Sequence, residues 1–323
     1  HHQWKDVLGT SSVIRRVVAE GKTLAEMEDP VALIGENGTG KSFFSQCIHN
    51  GSPRAKKPYI VINAGTIAQQ DAARVLFGSD DGAKPRMGLF ELAGGGTIAL
   101  QGLGDASEAF FSCLRQVLLQ HSYFAVGGVT TIPFSARLLA LVTPEERRRI
   151  PRDLWDQLSV FSLNLPLLKD RQEDVSTLFR FFLLRESILM PPRTPKELEE
   201  ILSFYSWPAN LISLSAVSKR YILLYQQAMN PSPSAKQQIL IRAIGEDELL
   251  SDIYRQYPAL TDAANSPPEE VLAGVAAMKR ILKYNNSVIA DKLGLGRTTL
   301  WRIQKKAGVS DAGEDTDSPE PIE

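Results

Sequence analysis

The chain has 323 residues, of which 43% are hydrophobic and 23% charged, with a formal net charge of −1. This is the balance of an ordinary globular protein of two or three domains, and such a charge by itself selects no class of partner. No stretch is long and apolar enough to cross a membrane, no signal peptide opens the chain, and Cys47 and Cys113 lie in apolar helical contexts without metal-ligand or disulfide spacing. These features exclude a disulfide-stapled or membrane-spanning protein and lead to the expectation of a cytoplasmic one with buried, reduced thiols.

The chain opens on His1-His2, which reads as a tag remnant or the cut edge of a longer protein. An amphipathic helix is predicted over Val13 to Met27, ended by Asp29-Pro30. Val31 to Ile34 is an apolar run of the kind a buried parallel strand needs. Gly35-Glu36-Asn37-Gly38-Thr39-Gly40-Lys41-Ser42 then fits G-x-x-x-x-G-K-[ST] at every fixed position, and Phe43 onward reads as a helix. The motif therefore sits between a strand and a helix, where its physics works. Its glycines let backbone amides turn inward around phosphates, and the helix N-terminus adds a positive dipole end. Lys41 is expected to reach the outer phosphates, and Ser42 to ligate Mg²⁺ if a Mg-nucleotide binds.

Further strands are predicted at Pro58 to Asn63, at Thr97 to Leu100 after the Gly94-Gly95-Gly96 turn, and at Leu138 to Val142. Helices lie between them, notably Ala106 to His121. Strands alternating with helices imply a parallel sheet of the P-loop class. Helices follow over Val175 to Leu189, Pro195 to Tyr205 and Leu211 to Met229, punctuated by prolines. Asn230 to Ser234 has the composition of a linker, Gln237 to Tyr257 is expected to form one or two helices, and Asn265 to Pro268 marks a second break.

The region from Val7 to about Tyr225 resembles the AAA+ domain of bacterial enhancer-binding proteins, the activators of sigma-54 RNA polymerase. The resemblance rests on LGTS at 8–11, LIGENGTGKS at 33–42, Ile48-His49 followed by GSPR at 51–54, and PYIVINAGTI at 58–67. It continues through LFGSDDGA at 76–83, GLFELAGGGTI at 88–98, LPLLKDRQEDV at 165–175 and WPAN at 207–210, in the family's order. It implies an α/β P-loop core with a helical lid. The departures from the family are informative. Where the family has Asp-Glu at the end of the Walker B strand, to hold Mg²⁺ and orient the attacking water, this chain has Gln101-Gly102, so Asn63 loses the glutamate it would restrain. Asp105 is a nearby carboxylate that could substitute. The two arginine-finger positions are Pro151 and Gln157, with Arg152 one residue off register. The sensor positions are Thr143 and Ile212. The sigma-54 contact loop is altered and shortened over Gly82 to Gly88. The resemblance thus implies a retained phosphate cradle and negligible hydrolysis; a cradle kept only as a structural relic is the alternative.

The C-terminal third switches to a basic helical pattern. Glu269 to Asn285 has apolar residues at helical spacing; Asn286 to Leu293 is a short helix; Gly294-Leu295-Gly296 makes a turn; Arg297 to Lys306 is a second helix. This is a helix-turn-helix plan, with Ile289, Ala290, Leu293, Leu295, Leu300 and Ile303 facing inward. It resembles the Fis-type domain that also ends the enhancer-binding proteins. The second helix would enter the major groove of double-stranded DNA with Arg297, Thr298, Thr299, Trp301 and Arg302 facing it, while Lys305 and Lys306 meet phosphates. Fis-type domains pair, which implies a homodimer or higher oligomer. Asp311 to Glu323 is an acidic tail expected to be disordered.

The expected organisation is an α/β nucleotide-binding subdomain at 1–165, a helical lid at 166–229, a linker at 230–268, a helix-turn-helix domain at 269–310 and the tail at 311–323. The expected function is a DNA-binding transcription regulator whose AAA+-like domain oligomerises and senses a nucleotide without turnover, acting with sigma-70-type RNA polymerase rather than sigma-54. The competing expectation is an ATP-hydrolysing sigma-54 activator. The nucleotide expected is ATP or, as in some family members, cyclic-di-GMP, with Trp4 stacking on guanine and Lys5, Arg15 and Arg16 nearby.

Overall fold

The computed structural model describes residues 2–80, 85–185, 196–228 and 231–306. Two compact units are present, one formed by 1–189 and 207–216, the other by 190–206 and 217–323.

The first unit is built on a five-stranded parallel sheet. Its strands are β1 (Val31–Ile34), β2 (Tyr59–Asn63), β3 (Thr97–Gln101), β4 (Arg137–Val142) and β5 (Phe161–Asn164), in the order β2-β3-β4-β1-β5. β1 lies between β4 and β5, in register from Val31 opposite Leu139 and Phe161 to Ile34 opposite Val142 and Asn164. Every residue of β4 is buried, as expected for a strand covered on both faces. One face carries Ile14, Val17, Phe44, Ile48 and Leu163, from α1 (Ser12–Ala25), α2 (Lys41–Asn50) and the sheet. The other packs Leu76, Phe90, Phe110, Leu114 and Leu154, with α3 (Glu108–Gln120) and α4 (Arg152–Leu158) contributing.

β5 is not predicted by the sequence reading. At four residues with only Leu163 fully buried, it has too little pattern to stand out, and its strand character comes from pairing with β1. The start of α1 is set by Ser11, whose Oγ accepts from the Ile14 amide at 3.3 Å. Behind it, buried Asp174 accepts from the Thr10 and Ser11 amides at 2.6 and 2.9 Å and from Ser11 Oγ at 2.6 Å. This carboxylate pins the Leu8–Ser11 loop to α5 (Gln172–Arg185).

The second unit is all helical. α6 (Pro233–Ile244) and α7 (Glu246–Gln256) are the two helices expected over Gln237 to Tyr257, within the segment 230–268 expected to serve as a linker. Ile239, Leu240, Ile241, Ile244, Leu249 and Ile253 are buried there. The Pro-Ser composition that reads as a linker is a helix start instead: Ser232 Oγ accepts from the Ala235 amide and Pro233 takes the first turn, where its missing N–H costs nothing. Next, α8 (Pro268–Ala277) runs into a π-turn over Met278–Leu282 and ends where Lys283 turns left-handed at φ 60°. The single helix expected to reach Asn285 is therefore shorter, and Leu260 packs so closely on Gly274 that a Cβ there would lie 2.5 Å from it.

α9 (Asn286–Lys292) and α10 (Arg297–Lys306) complete the helix-turn-helix with the predicted bounds to within a residue. Asn285 caps α9, its Oδ1 accepting from the Val288 amide at 2.9 Å. Gly294 takes the turn at φ 64°, a conformation that glycine adopts without strain. Ile289, Ala290 and Leu300 are buried as predicted. Leu293, Leu295 and Ile303 are half-buried, and Gln304 joins the inner face, its Nε2 donating to Asn286 Oδ1 at 3.2 Å. Among the described residues, no helix is long and apolar enough to cross a membrane. The acidic tail and the tip of the shortened loop, residues 81–84, lie outside the described residues.

Candidate nucleotide cleft and DNA-reading helix

The loop of Gly35 to Gly40 leaves the C-terminal end of β1 and feeds α2, at the edge of a sheet position flanked on both sides, where ligands of open α/β sheets bind. Gly38 and Gly40 adopt φ 78° and 104°, which the loop's tight path requires. Two restraints shape the loop. Thr39 Oγ1 donates to the Glu36 carbonyl at 2.8 Å. The Trp207-Pro208-Ala209-Asn210 turn straps it from outside: Asn210 Nδ2 donates to the Asn37 carbonyl at 2.9 Å, the Leu211 amide donates to the Gly38 carbonyl at 3.1 Å, and Asn210 Oδ1 accepts from the Leu168 amide at 2.7 Å. The sequence reading takes WPAN as a family marker and misses this strap, since nothing local says what a turn more than 160 residues away will hold.

Together with Phe43, Leu141 and Glu146, the loop lines a cleft of approximately 390 Å³ that also includes Gln101, Gly102, Leu211 and Ile212. Lys41 Nζ donates to the carbonyls of Gly35 and Glu36 at 2.7 and 3.1 Å, so it is folded back on the loop rather than extended into the cleft. Burial pushes its ammonium below the usual lysine value, and the carboxylates of Glu146 and Glu36 pull it back up. Glu146 is the cleft carboxylate that the sequence reading misses. It is tied into a capping box, its Oε2 accepting from the Thr143 amide at 2.7 Å.

At the end of β3, Gln101 Nε2 donates to Ser42 Oγ at 3.1 Å. Gly102 takes φ 62°, and a Cβ built on it would lie 2.5 Å from Asn63 Oδ1. Asn63 thus fills the space into which a glutamate at 102 would have to grow. Asp105 does not substitute: its Oδ1 accepts from Arg149 Nη1 at 2.5 Å, and it does not line the cleft. The residues therefore do not fit the magnesium ion that the loop motif implies. Ser42, expected as a metal ligand, accepts an amide N–H from Gln101 instead. Of the finger and sensor positions, Pro151 caps the start of α4, Gln157 is half-buried, Ile212 is 59% exposed, and Arg152 projects into solvent with Asp156 Oδ2 at 3.9 Å.

Trp4 is not a free stacking surface. Its half-buried ring meets Phe44 edge-on at 6.1 Å, and a Cβ on Gly21 or Gly51 would come within 2.5 or 2.7 Å of it. The indole is a packing element of α1 and α2, built on those two glycines. Lys5, Arg15 and Arg16 are exposed, and Arg16 pairs with Glu20 at 3.8 Å.

On α10 the exposed side chains are Arg297, Thr298, Trp301, Arg302 and Lys305; Thr299 is half-buried, and nothing is described for the Lys306 side chain. Arg297 Nη2 donates to Ser287 Oγ on α9 at 2.7 Å. Lys305 Nζ lies 4.8 Å from the Trp301 ring centroid, a cation–π contact that orients an indole left 54% exposed. One helix face thus presents three cations and an aromatic ring.

Residues 7–164 match the sigma-54 interaction domain. The chain is 30% identical over 325 residues to the DNA-binding transcriptional activator HyfR of Escherichia coli K12, covering 94% of this chain and 48% of HyfR. It is 35% identical over 235 residues to the Nif-specific regulatory protein of Sinorhizobium fredii, covering 69% of this chain and 39% of that protein. The chain thus spans about half the length, or less, of these relatives. Among solved structures it resembles NtrX from Brucella abortus, with a TM-score of 0.68 at 25% identity over 94% of this chain and 69% of that one. The same fold recurs in NtrX in complex with ATP, at a TM-score of 0.68 and 23% identity. The architecture is accordingly a P-loop AAA+-like fold followed by a helical C-terminal region.

Proposed function

We propose that this chain is a DNA-binding transcription regulator of the enhancer-binding type whose AAA+ domain binds a nucleotide without hydrolysing it, and which acts independently of sigma-54. The similarity to transcriptional regulators supports the coarse part of this reading. The finer part rests on one observation: the end of β3 offers Gln101 to Ser42 and leaves Gly102 under Asn63. A nucleotide held there meets, at the end of β3, neither an acid to hold a metal nor a residue to orient water, and both are needed for phosphoryl transfer. The side chains at the finger positions, Pro151 and Gln157, carry no charge to offer a neighbouring subunit's site.

The rest of the reading follows from the surfaces. The cation-rich face of α10 suits the major groove, with Arg297, Thr298, Trp301 and Arg302 toward bases and Lys305 toward phosphates. Pairing through helix-turn-helix units would place two such helices on a two-fold site. The antiparallel pair of Gly78–Ser79 with Arg86–Met87 closes the stem of the former contact loop, and the sequence has only the six residues 80–85 between the two strands. That short reach favours sigma-70-type polymerase or repression. For the ligand, ATP or its diphosphate is favoured over cyclic-di-GMP, because Trp4 is committed to packing.

The second reading, an ATP-driven activator of sigma-54 polymerase, draws on the match over 7–164. Calorimetry with ATP and ADP, run beside phosphate-release assays, separates the two. Binding without release is expected. Release abolished by Lys41→Ala would restore the motor. Transcription with purified sigma-54 and sigma-70 holoenzymes then tests the polymerase assignment.

A further inference from the structure

The chemistry at the end of β3 goes beyond a missing catalytic pair. In a metal-dependent cleft the loop serine and a nearby acid hold a divalent cation against the outer phosphates. Here the serine's partner is a neutral amide that presents N–H, a hydrogen-bond donor, at 3.1 Å. A donor aimed at that space is suited to a phosphate oxygen and ill-suited to a cation, which needs oxygen lone pairs.

The charge balance of the outer end points the same way. Lys41 is the cation of the cleft lining, and its field is shared with Glu36 and Glu146. Ile212 sits where a cationic sensor would stand. The loop amides and the start of α2 suit phosphates close to the backbone. A further phosphate, without a metal to neutralise it, would meet Glu146 and Ile212 of the lining, with the nearby Glu36 carboxylate adding to the negative field.

We infer that this cleft holds a nucleoside diphosphate without a divalent cation, the Gln101 amide donating where a metal would otherwise sit and Lys41 swinging from the Gly35 and Glu36 carbonyls to the terminal phosphate. This deepens the nucleotide-binding reading above and rests on it.

The test is calorimetric titration of the whole chain with ADP and with ATP, in excess EDTA and in millimolar MgCl₂. The expected result is an ADP affinity equal within about twofold in the two buffers, and ATP in EDTA weaker by about tenfold, the scale of one unfavourable charge contact in a partly buried site. Gln101→Asp should convert the site, so that Mg²⁺ tightens ADP binding by about tenfold. Tenfold tighter ADP binding by the unaltered chain with Mg²⁺ would overturn the metal-free assignment while leaving nucleotide binding intact. ATP binding as tight as ADP in EDTA would overturn the diphosphate assignment. If neither nucleotide binds in either buffer, the nucleotide-binding reading falls as well. The unaltered chain decides each point even if Gln101→Asp does not fold.

Discussion

The nucleotide cleft and the recognition helix hold their chemistry in opposite ways. The cleft's loop is held through the backbone, its path fixed by Gly38, Gly40 and the Asn210 strap, while the side chains around it come from β3, β4, the turn after Thr143 and the start of the helix Asn210–Gln227. The recognition face is made of side chains alone, all from one ten-residue helix. A backbone site withstands drift in its surroundings, so the cradle persists beside Gln101, Gly102 and Ile212. A side-chain face keeps its function only while its own residues stay. On the reading proposed above, the cleft loses turnover and keeps binding, whereas the helix keeps or loses DNA as a whole.

The largest expected effect breaks the cradle's exception, the one charged side chain it depends on. Lys41→Ala removes the charge-assisted contact to phosphate and should weaken nucleotide binding about a hundredfold, roughly 3 kcal/mol, measured by calorimetry. A loss under threefold would mean that the amides suffice alone. On the helix, Arg302→Ala should cost about 1–3 kcal/mol toward a specific DNA site, and Lys305→Ala should weaken all sequences alike while lowering the salt slope by about one. Fluorescence anisotropy on matched and scrambled duplexes at several salt concentrations distinguishes the two; equal losses on every sequence for both variants would make the face purely electrostatic.

A fourth variant sharpens the contrast from the cleft side. Gly102→Glu puts a side chain at φ 62°, with its Cβ 2.5 Å from Asn63 Oδ1, and should destabilise the first unit by about 1–2 kcal/mol without producing phosphate release. A thermal melt and a phosphate assay read both; release from this single variant would show that only the glutamate was missing. The smallest effect lies away from either site. Burial pushes the Cys47 thiol up to about 12 and Cys113 to about 11. Because these folded values are raised, burial of the neutral thiols contributes stability in full below the unfolded thiol value of about 8.5, and the contribution is lost as pH rises toward the folded values. At pH 8 both cysteines should resist alkylation in the native chain and react after unfolding, read by mass spectrometry; native labelling at either position would contradict the packing of α2 or α3.

How much of this was legible in the residues depends on how local each feature is. The four longer strand predictions, the loop from Gly35 to Ser42 and both helices of the helix-turn-helix follow from contiguous patterns, and the structure places them within a residue or two. The helices over Gln237 to Tyr257 were legible, but their start was not, because Ser232-Pro233 looks the same whether it caps a helix or spaces two domains; the burial of Ile239 to Ile253 shows that these helices pack. The packing of Trp4 was not legible for a related reason, since an aromatic residue near arginines reads as a ligand platform until Gly21 and Gly51 are seen beneath it.

The sequence by itself determined the α/β core, the glycine loop between β1 and α2, the absence of a carboxylate pair after β3 and the cation-rich second helix of the helix-turn-helix. Each is written in a run of neighbouring residues whose spacing has a single physical meaning. Only the tertiary structure decided that β5 closes the sheet beside β1, that Asn210 straps the loop, that Glu146 enters the cleft and that Gln101 turns its amide onto Ser42. These contacts join residues tens to more than 160 positions apart, and no local pattern encodes which distant backbone or side chain will lie within hydrogen-bond reach once the sheet is assembled.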